Sequence, residues 1–164
     1  MNYTDSVQFL YSLGNEMKTA KLGLERIRAV LEVLGNSQAA YRIVHVAGTN
    51  GKGSTCAMLE TILREAGYRT GLYTSPHLVD FRERFLIDGV PVSPDRILEF
   101  IRRRTPDVER LGATFFEATT AMAFQFFRDE QVDIAVIETG LGGRLDATNV
   151  IRPLVAGVTN IGID

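Results

Sequence analysis

A chain of 164 residues, 45% hydrophobic and 23% charged, holds enough apolar material for one domain with its own core and is too short for two. A formal net charge of −2 offers no basic field to a nucleic-acid backbone or an anionic membrane, and no segment approaches the roughly 18 consecutive apolar residues of a bilayer span. The single cysteine, Cys56, cannot close an intrachain disulfide, and the N-terminal residues lack a basic-then-apolar leader; the expectation is a cytoplasmic monomer with no nucleic-acid or membrane partner.

In chain order, Thr4–Leu13 and Leu22–Leu34 are expected helices, the second with Leu24, Ile27, Val30, Leu31 and Leu34 on one face. The period then changes. Ile43-Val44-His45-Val46-Ala47 is a β-branched-rich run ending at Gly48, the pattern of a buried strand. After a Gly-rich turn, Met58, Leu59, Ile62, Leu63 and Ala66 mark a helix closing at Gly67, and Thr70–Thr74 is a second strand. Asp88-Gly89 between Phe85-Leu86-Ile87 and Val90-Pro91-Val92 predicts a small hairpin. Ser93-Pro94 opens a helix that buries Ile97, Leu98 and Ile101 and leaves Arg102, Arg103 and Arg104 as a solvated face. Phe115–Phe127 is apolar nearly all round and predicts a buried helix. Val132–Glu138 reads as a central parallel strand and Leu154–Thr159 as the last one. The order strand, loop, helix, strand predicts an α/β fold, a mostly parallel sheet flanked by helices. Residues 1–41 form a helical lead-in and 42–164 the α/β core. The chain stops just after a strand, where ligand-binding loops of such sheets lie, and is expected to be cut short.

The motif with most chemistry is Gly48-Thr49-Asn50-Gly51-Lys52-Gly53-Ser54-Thr55, placed between a predicted strand and a predicted helix. Glycines let successive amides face one concavity, and the helix N-terminus adds partial positive charge. Lys52 brings a full charge to the β/γ-phosphates, and a hydroxyl of Ser54 or Thr55 can reach a phosphate or its Mg²⁺. The general phosphate-loop template is not met in full, because Val46 stands where its first glycine belongs and Gly53 follows the lysine. His45 and Cys56, on either side, read as core residues. Glu138 ends an apolar strand, so its carboxylate should emerge at the carboxyl edge of the sheet near this loop, where it could hold Mg²⁺, orient an attacking group, or be an ordinary edge acid solvated by water.

Gly48 to Ser54 resembles the phosphate loop of the Mur ligase superfamily, in particular the folylpolyglutamate synthase and dihydrofolate synthase family. Lys21-Leu22-Gly23-Leu24-Glu25-Arg26-Ile27 is similar to that family's lead-in, and Thr74-Ser75-Pro76-His77-Leu78 with Phe81-Arg82-Glu83-Arg84 to its second signature. Residues 138–149, Glu-Thr-Gly-Leu-Gly-Gly-Arg-Leu-Asp-Ala-Thr-Asn, resemble the third. Residues 159–164 resemble the start of a fourth that continues in the family into a histidine. The resemblance runs over essentially the whole chain, which would be the N-terminal part of a Mur ligase-like ATP-binding domain without the C-terminal glutamate-binding domain.

The resemblance implies an ADP-forming ligase that joins L-glutamate to a folate or dihydropteroate carboxylate through an acyl phosphate, with ATP and Mg²⁺ as cofactors. Gly48, Thr49, Asn50, Gly51, Lys52, Gly53 and Ser54 would bind ATP, Lys52 and Glu138 would be catalytic, and Ser75 and Glu138 would hold Mg²⁺. Thr114, Phe115, Phe116, Glu117 and Asp146 would face the pteroate. The residues also support plainer readings. Thr114 and Glu117 fit a capping box, Ser75-Pro76 a turn, Asp146 a turn residue, and His77 either a phosphate-side donor or a loop-positioning group. Another Mur-type amino-acid ligase and a non-catalytic nucleotide-binding fragment remain as alternatives; by itself the chain is expected to do no more than bind nucleotide phosphate, without turnover.

Overall fold

A computed structural model describes residues 2–14 and 23–163; Lys21 and Leu22 of the lead-in, and Asp164, lie outside the described residues. Helix α1 (Tyr3–Ser12) starts at a capping box of Asn2 and Asp5, and α2 (Glu25–Val33) buries Ile27, Val30 and Leu31. Strand β1 (Arg42–Ala47) leads into α3 (Lys52–Glu65), and β2 (Thr70–Tyr73) follows. The expected hairpin is β3 (Phe85–Ile87) and β4 (Val90–Pro91). Asp88 and Gly89 both have positive φ, 49° and 76°, the backbone of a type I′ turn that matches the twist of the strands. Helix α4 (Pro94–Leu111) buries Ile97, Phe100, Ile101 and Val108 and leaves Leu98 half-buried; α5 (Phe115–Asp129) is buried on nearly every side. Arg103 pairs with Glu99 and Arg104 with Asp107 on the outer face of α4, as a solvated stripe does. Strands β5 (Ile134–Glu138) and β6 (Val155–Val158) complete the chain.

The six strands form one sheet in the order β4-β3-β2-β5-β1-β6. Strands β2, β5, β1 and β6 run parallel, and the hairpin adds two antiparallel strands at one edge. All five residues of β5 are buried, which explains its unbroken apolar sequence: a central parallel strand is covered on both faces. Side-chain alternation splits the core. Ile43, Tyr73, Ala135 and Ile137 face the larger cluster with α1, α2, α4 and α5, so the N-terminal helices share the core of the α/β unit. Val46, Leu72 and Val136 face α3, where Cys56 is buried as a small apolar residue and its thiol is pushed up to about 12 by burial and by Glu138. Each fully buried phenylalanine in the larger cluster, such as Phe124 and Phe127, contributes about 1.5–3 kcal/mol from removal of apolar surface from water. Met58 and Ile62 of α3 belong to its apolar pattern yet lie outward, 60% and 65% exposed, and Leu154, Val155 and Val158 along edge strand β6 are exposed too.

The register places the strand ends. Val46 lies beside Glu138 and Tyr73 beside Ile137, so the loops after β1, β5 and β2 emerge side by side, with Glu138 in the middle.

Candidate functional site

Strand β1 delivers Gly48–Gly51, and α3 begins at Lys52. Gly51 stands at the N-cap with φ 78°, a conformation that favours glycine, and no side chain caps the helix. The first amides of a 14-residue helix are thus left to an external acceptor, with the positive end of its dipole behind them. The Lys52 ammonium folds back on the loop and donates to the carbonyls of Gly48 (2.7 Å) and Thr49 (3.3 Å). Ser54 is exposed on the first turn.

Glu138 closes the other side. Its side chain is 5% exposed, and Oε2 accepts from the Ser75 amide at 3.0 Å. A methyl group added at Gly53 would lie 3.7 Å from Glu138 Oε1, so the carboxylate sits against the start of α3. Burial pushes this carboxyl above its usual range, and the opposing pull of the Ser75 amide, Lys52 and Arg84 does not cancel it. The phosphate loop, Glu138 and Ser75 therefore come together as one cluster.

The residues expected to face a pteroate form a second group beside it. Thr114 and Glu117 make the capping box of α5: Thr114 N donates to Glu117 Oε2 at 2.8 Å and Glu117 N to Thr114 Oγ1 at 3.3 Å. Glu117 also pairs with Arg26 of α2 at 3.1 Å, so its carboxylate ties two helices together. Phe115 is 2% exposed, stacked on Tyr11 at 5.2 Å and covered by the Arg84 guanidinium at 5.2 Å. Phe116 is half-buried, and its ring lies over Gly140, where a methyl group would fall 2.3 Å from Cζ. Asp146 is 5% exposed; Oδ2 accepts from the amides of Gly140 (2.9 Å) and Leu141 (2.7 Å), and Oδ1 from the amide (3.0 Å) and hydroxyl (2.5 Å) of Thr148. It is the centre on which the Gly140–Thr148 loop folds. Thr148 Oγ1 meets His45 Nε2 of β1 at 2.8 Å, and burial holds that imidazole below its usual pKa against the pull of Asp146.

His77 lies between Arg84 and Tyr11. Arg84 Nε donates to His77 Nδ1 at 2.8 Å, and because a guanidinium only donates, the ring proton sits on Nε2, 3.1 Å from Tyr11 Oη.

No protein-family model matches the chain. Residue-by-residue comparison does find relatives. The Bacillus subtilis (strain 168) dihydrofolate synthase/folylpolyglutamate synthase is 43% identical over 151 residues, covering 88% of this chain and 35% of that protein. The crystal structure of folylpolyglutamate synthase from Thermotoga maritima superposes with a TM-score of 0.91 at 41% identity, over 98% of this chain and 38% of that one. A folylpolyglutamate synthase complex with AMPPCP and folate gives 0.91 at 40% identity, over 100% of this chain and 41% of that one. The chain is a relative of the folylpolyglutamate and dihydrofolate synthases. It has their Mur ligase-like sheet and spans 35%, 38% and 41% of the length of these three synthases.

Among the described residues, no group of three or more His, Cys, Asp or Glu is placed to hold a metal, and no helix is long and apolar enough to cross a membrane. The donors beside the phosphate loop still suit Mg²⁺. A hard cation that keeps its waters and takes substrate phosphates needs only one or two protein oxygens, and the buried Glu138 carboxylate, beside the Ser75 turn, could supply one. Set against the synthase resemblance, the sequence reading gave no role to Thr159 and Asn160, which bond to the phosphate loop, or to Arg26 and Arg84. The only signal for the first two was their place in the fourth signature.

Proposed function

We propose that the chain provides the nucleotide-phosphate site and part of the pterin-facing wall of an ATP-dependent ligase joining L-glutamate to a folate or dihydropteroate carboxylate. Residues 1–41 would be the lead-in and 42–164 the phosphate-binding core of one ATP-binding domain. The observation that carries this reading is the Glu138 carboxylate set between the uncapped start of α3, with Lys52, and the Ser75 turn. The folate and AMPPCP bound by one structural relative support the choice of substrates.

In this reading a substrate carboxylate oxygen attacks the γ-phosphorus of ATP. The bond to the bridging oxygen breaks, ADP leaves, and an acyl phosphate remains; the glutamate amine then attacks its carbonyl carbon and displaces phosphate. The loop amides of Gly51, Lys52, Gly53 and Ser54 hold the phosphates, with Gly48, Thr49 and Asn50 shaping the loop in front of them. Lys52 exchanges its two carbonyl acceptors for phosphate oxygens, replacing weak neutral partners by charge-assisted ones. Glu138 and Ser75 would hold Mg²⁺, which neutralises charge on the transferring phosphoryl group. On the substrate side, Phe116 offers the half-buried aromatic face, and Phe115 backs it from the core. Thr114 and Glu117 act by fixing the start of α5, and Asp146 by fixing the loop against which Phe116 rests.

Titration calorimetry of Mg·ATP into the chain tests the nucleotide half of this reading, with Lys52→Ala as the control. Binding in the parent and at least tenfold weaker binding in the variant is the expected result. Equal binding by both proteins would remove Lys52 from the site. Competition by pteroate but not by a UDP-muramyl peptide tests the substrate class.

A further inference from the structure

We infer that Thr159 and Asn160, beyond the end of β6, are positioning residues that lock the front half of the phosphate loop so that its rear half is preset for a polyphosphate. The inference rests on the phosphate-site reading above and deepens it.

The contacts reach across more than a hundred residues of sequence. Asn160 accepts twice: its Oδ1 from the Asn50 amide at 2.9 Å, and its carbonyl from the Thr49 amide at 3.0 Å. Thr159 Oγ1 donates to the Asn50 carbonyl at 2.7 Å, and its amide to the Ala47 carbonyl at 2.9 Å. The Gly162 amide donates to Thr49 Oγ1 at 3.0 Å. Ala47, Thr49 and Asn50 are thereby all tied to the chain that follows β6. Gly48 supplies an independent sign that this packing is built in. It has φ 135°, and a methyl group there would fall 2.0 Å from Thr159 Oγ1 and 3.0 Å from the Asn160 carbonyl. The glycine at this position makes room for the clamp.

The consequence is a division of labour within Gly48–Ser54. The amides of Thr49 and Asn50 are spent on Asn160, whereas the first amides of α3 have no side-chain cap. A phosphate arriving at α3 meets a loop that has already lost its conformational freedom, so the ordering cost of binding falls on folding and not on the ligand. Asn160 suits the task because its amide oxygen accepts without charge. An aspartate would accept equally well but would set a negative charge beside the phosphates.

That difference gives the test, made on the whole chain with Asn160→Ala, Asn160→Asp and Thr159→Val, using Mg·ATP and inorganic tripolyphosphate as probes. Amide hydrogen exchange at Thr49 and Asn50 is measured without ligand. The inference expects Asn160→Ala to speed exchange at Asn50 and to weaken both probes about five- to twentyfold, with thermal unfolding little changed. Asn160→Asp should keep Asn50 protected yet still weaken both probes, with a loss that shrinks as salt is raised. Thr159→Val should fall between the parent and Asn160→Ala. Unchanged Asn50 exchange in Asn160→Ala overturns the clamp whatever the probes do. Faster exchange with unchanged affinity in a binding-competent parent also overturns it. A parent that binds neither probe would instead refute the phosphate-site reading, and the exchange data would still decide whether the clamp exists.

Discussion

Glu138→Gln is expected to stabilise the folded chain while weakening its affinity for Mg·ATP. The carboxylate is 5% exposed, with one hydrogen bond, from the Ser75 amide, among the described residues. Two effects compete. Lys52 and Arg84 favour the anion, whereas loss of hydration disfavours it, and the upward direction of the shift shows that the second wins. A glutamine keeps the shape and an oxygen acceptor for Ser75 and removes the buried charge, for a gain on the order of 1 kcal/mol at pH 7. For a domain of this size that is a rise of about 2–4 °C in Tm, readable by differential scanning calorimetry. The sign can be checked by pH. A carboxyl raised in the folded state binds more protons folded than unfolded above its ordinary pKa of 4.5, so its contribution to stability falls as pH rises through that window. The gain from the variant should therefore grow from pH 4.5 toward neutrality. A glutamine variant that melts below the parent at pH 7, or a difference independent of pH, would refute this account of Glu138 as a carboxylate destabilised by burial.

His45→Asn addresses the buried imidazole. Its folded pKa is lowered, so its contribution is complete above the unfolded value of 6.5 and is lost as pH falls below it; the parent should lose stability there and the variant should not, which denaturant unfolding at a series of pH values checks. Thr114→Ala removes the side-chain acceptor for the Glu117 amide and is expected to cost about 1 kcal/mol, seen as a Tm lower by about 2–4 °C; an unchanged Tm would show that the capping box is not what holds the start of α5.

How far such a site can be read from sequence depends on how local its physics is. The strand-to-helix turn of Gly48–Ser54 was legible because strand, glycines, lysine and helix start are contiguous, and each constrains the next. Glu138 was legible for a related reason: an acid that ends an unbroken apolar strand has to emerge at the sheet's edge, and the register of β1 against β5 carries it to the loop. Legibility fails where the deciding contact is remote. Phe115 and Phe116 are adjacent and chemically identical. Remote packing, of Tyr11, Phe81 and Arg84 on the first and of Tyr73 and Gly140 on the second, makes one a core residue and leaves the other half-buried. Asp146 reads equally as a turn residue or a ligand until four donors are seen converging on it. The apolar spacing of α3 announced a helix correctly but could not tell that Leu59 packs on the sheet while Met58 and Ile62 face outward, because periodicity defines faces and not what covers them. Asn160 is the extreme case. Its side chain has no local partner to predict, and its role rests on two amides 110 and 111 positions earlier in the chain, brought within reach because β6 pairs beside β1. The groups proposed to bind are local and readable, whereas the contacts that hold them in place are products of the sheet topology.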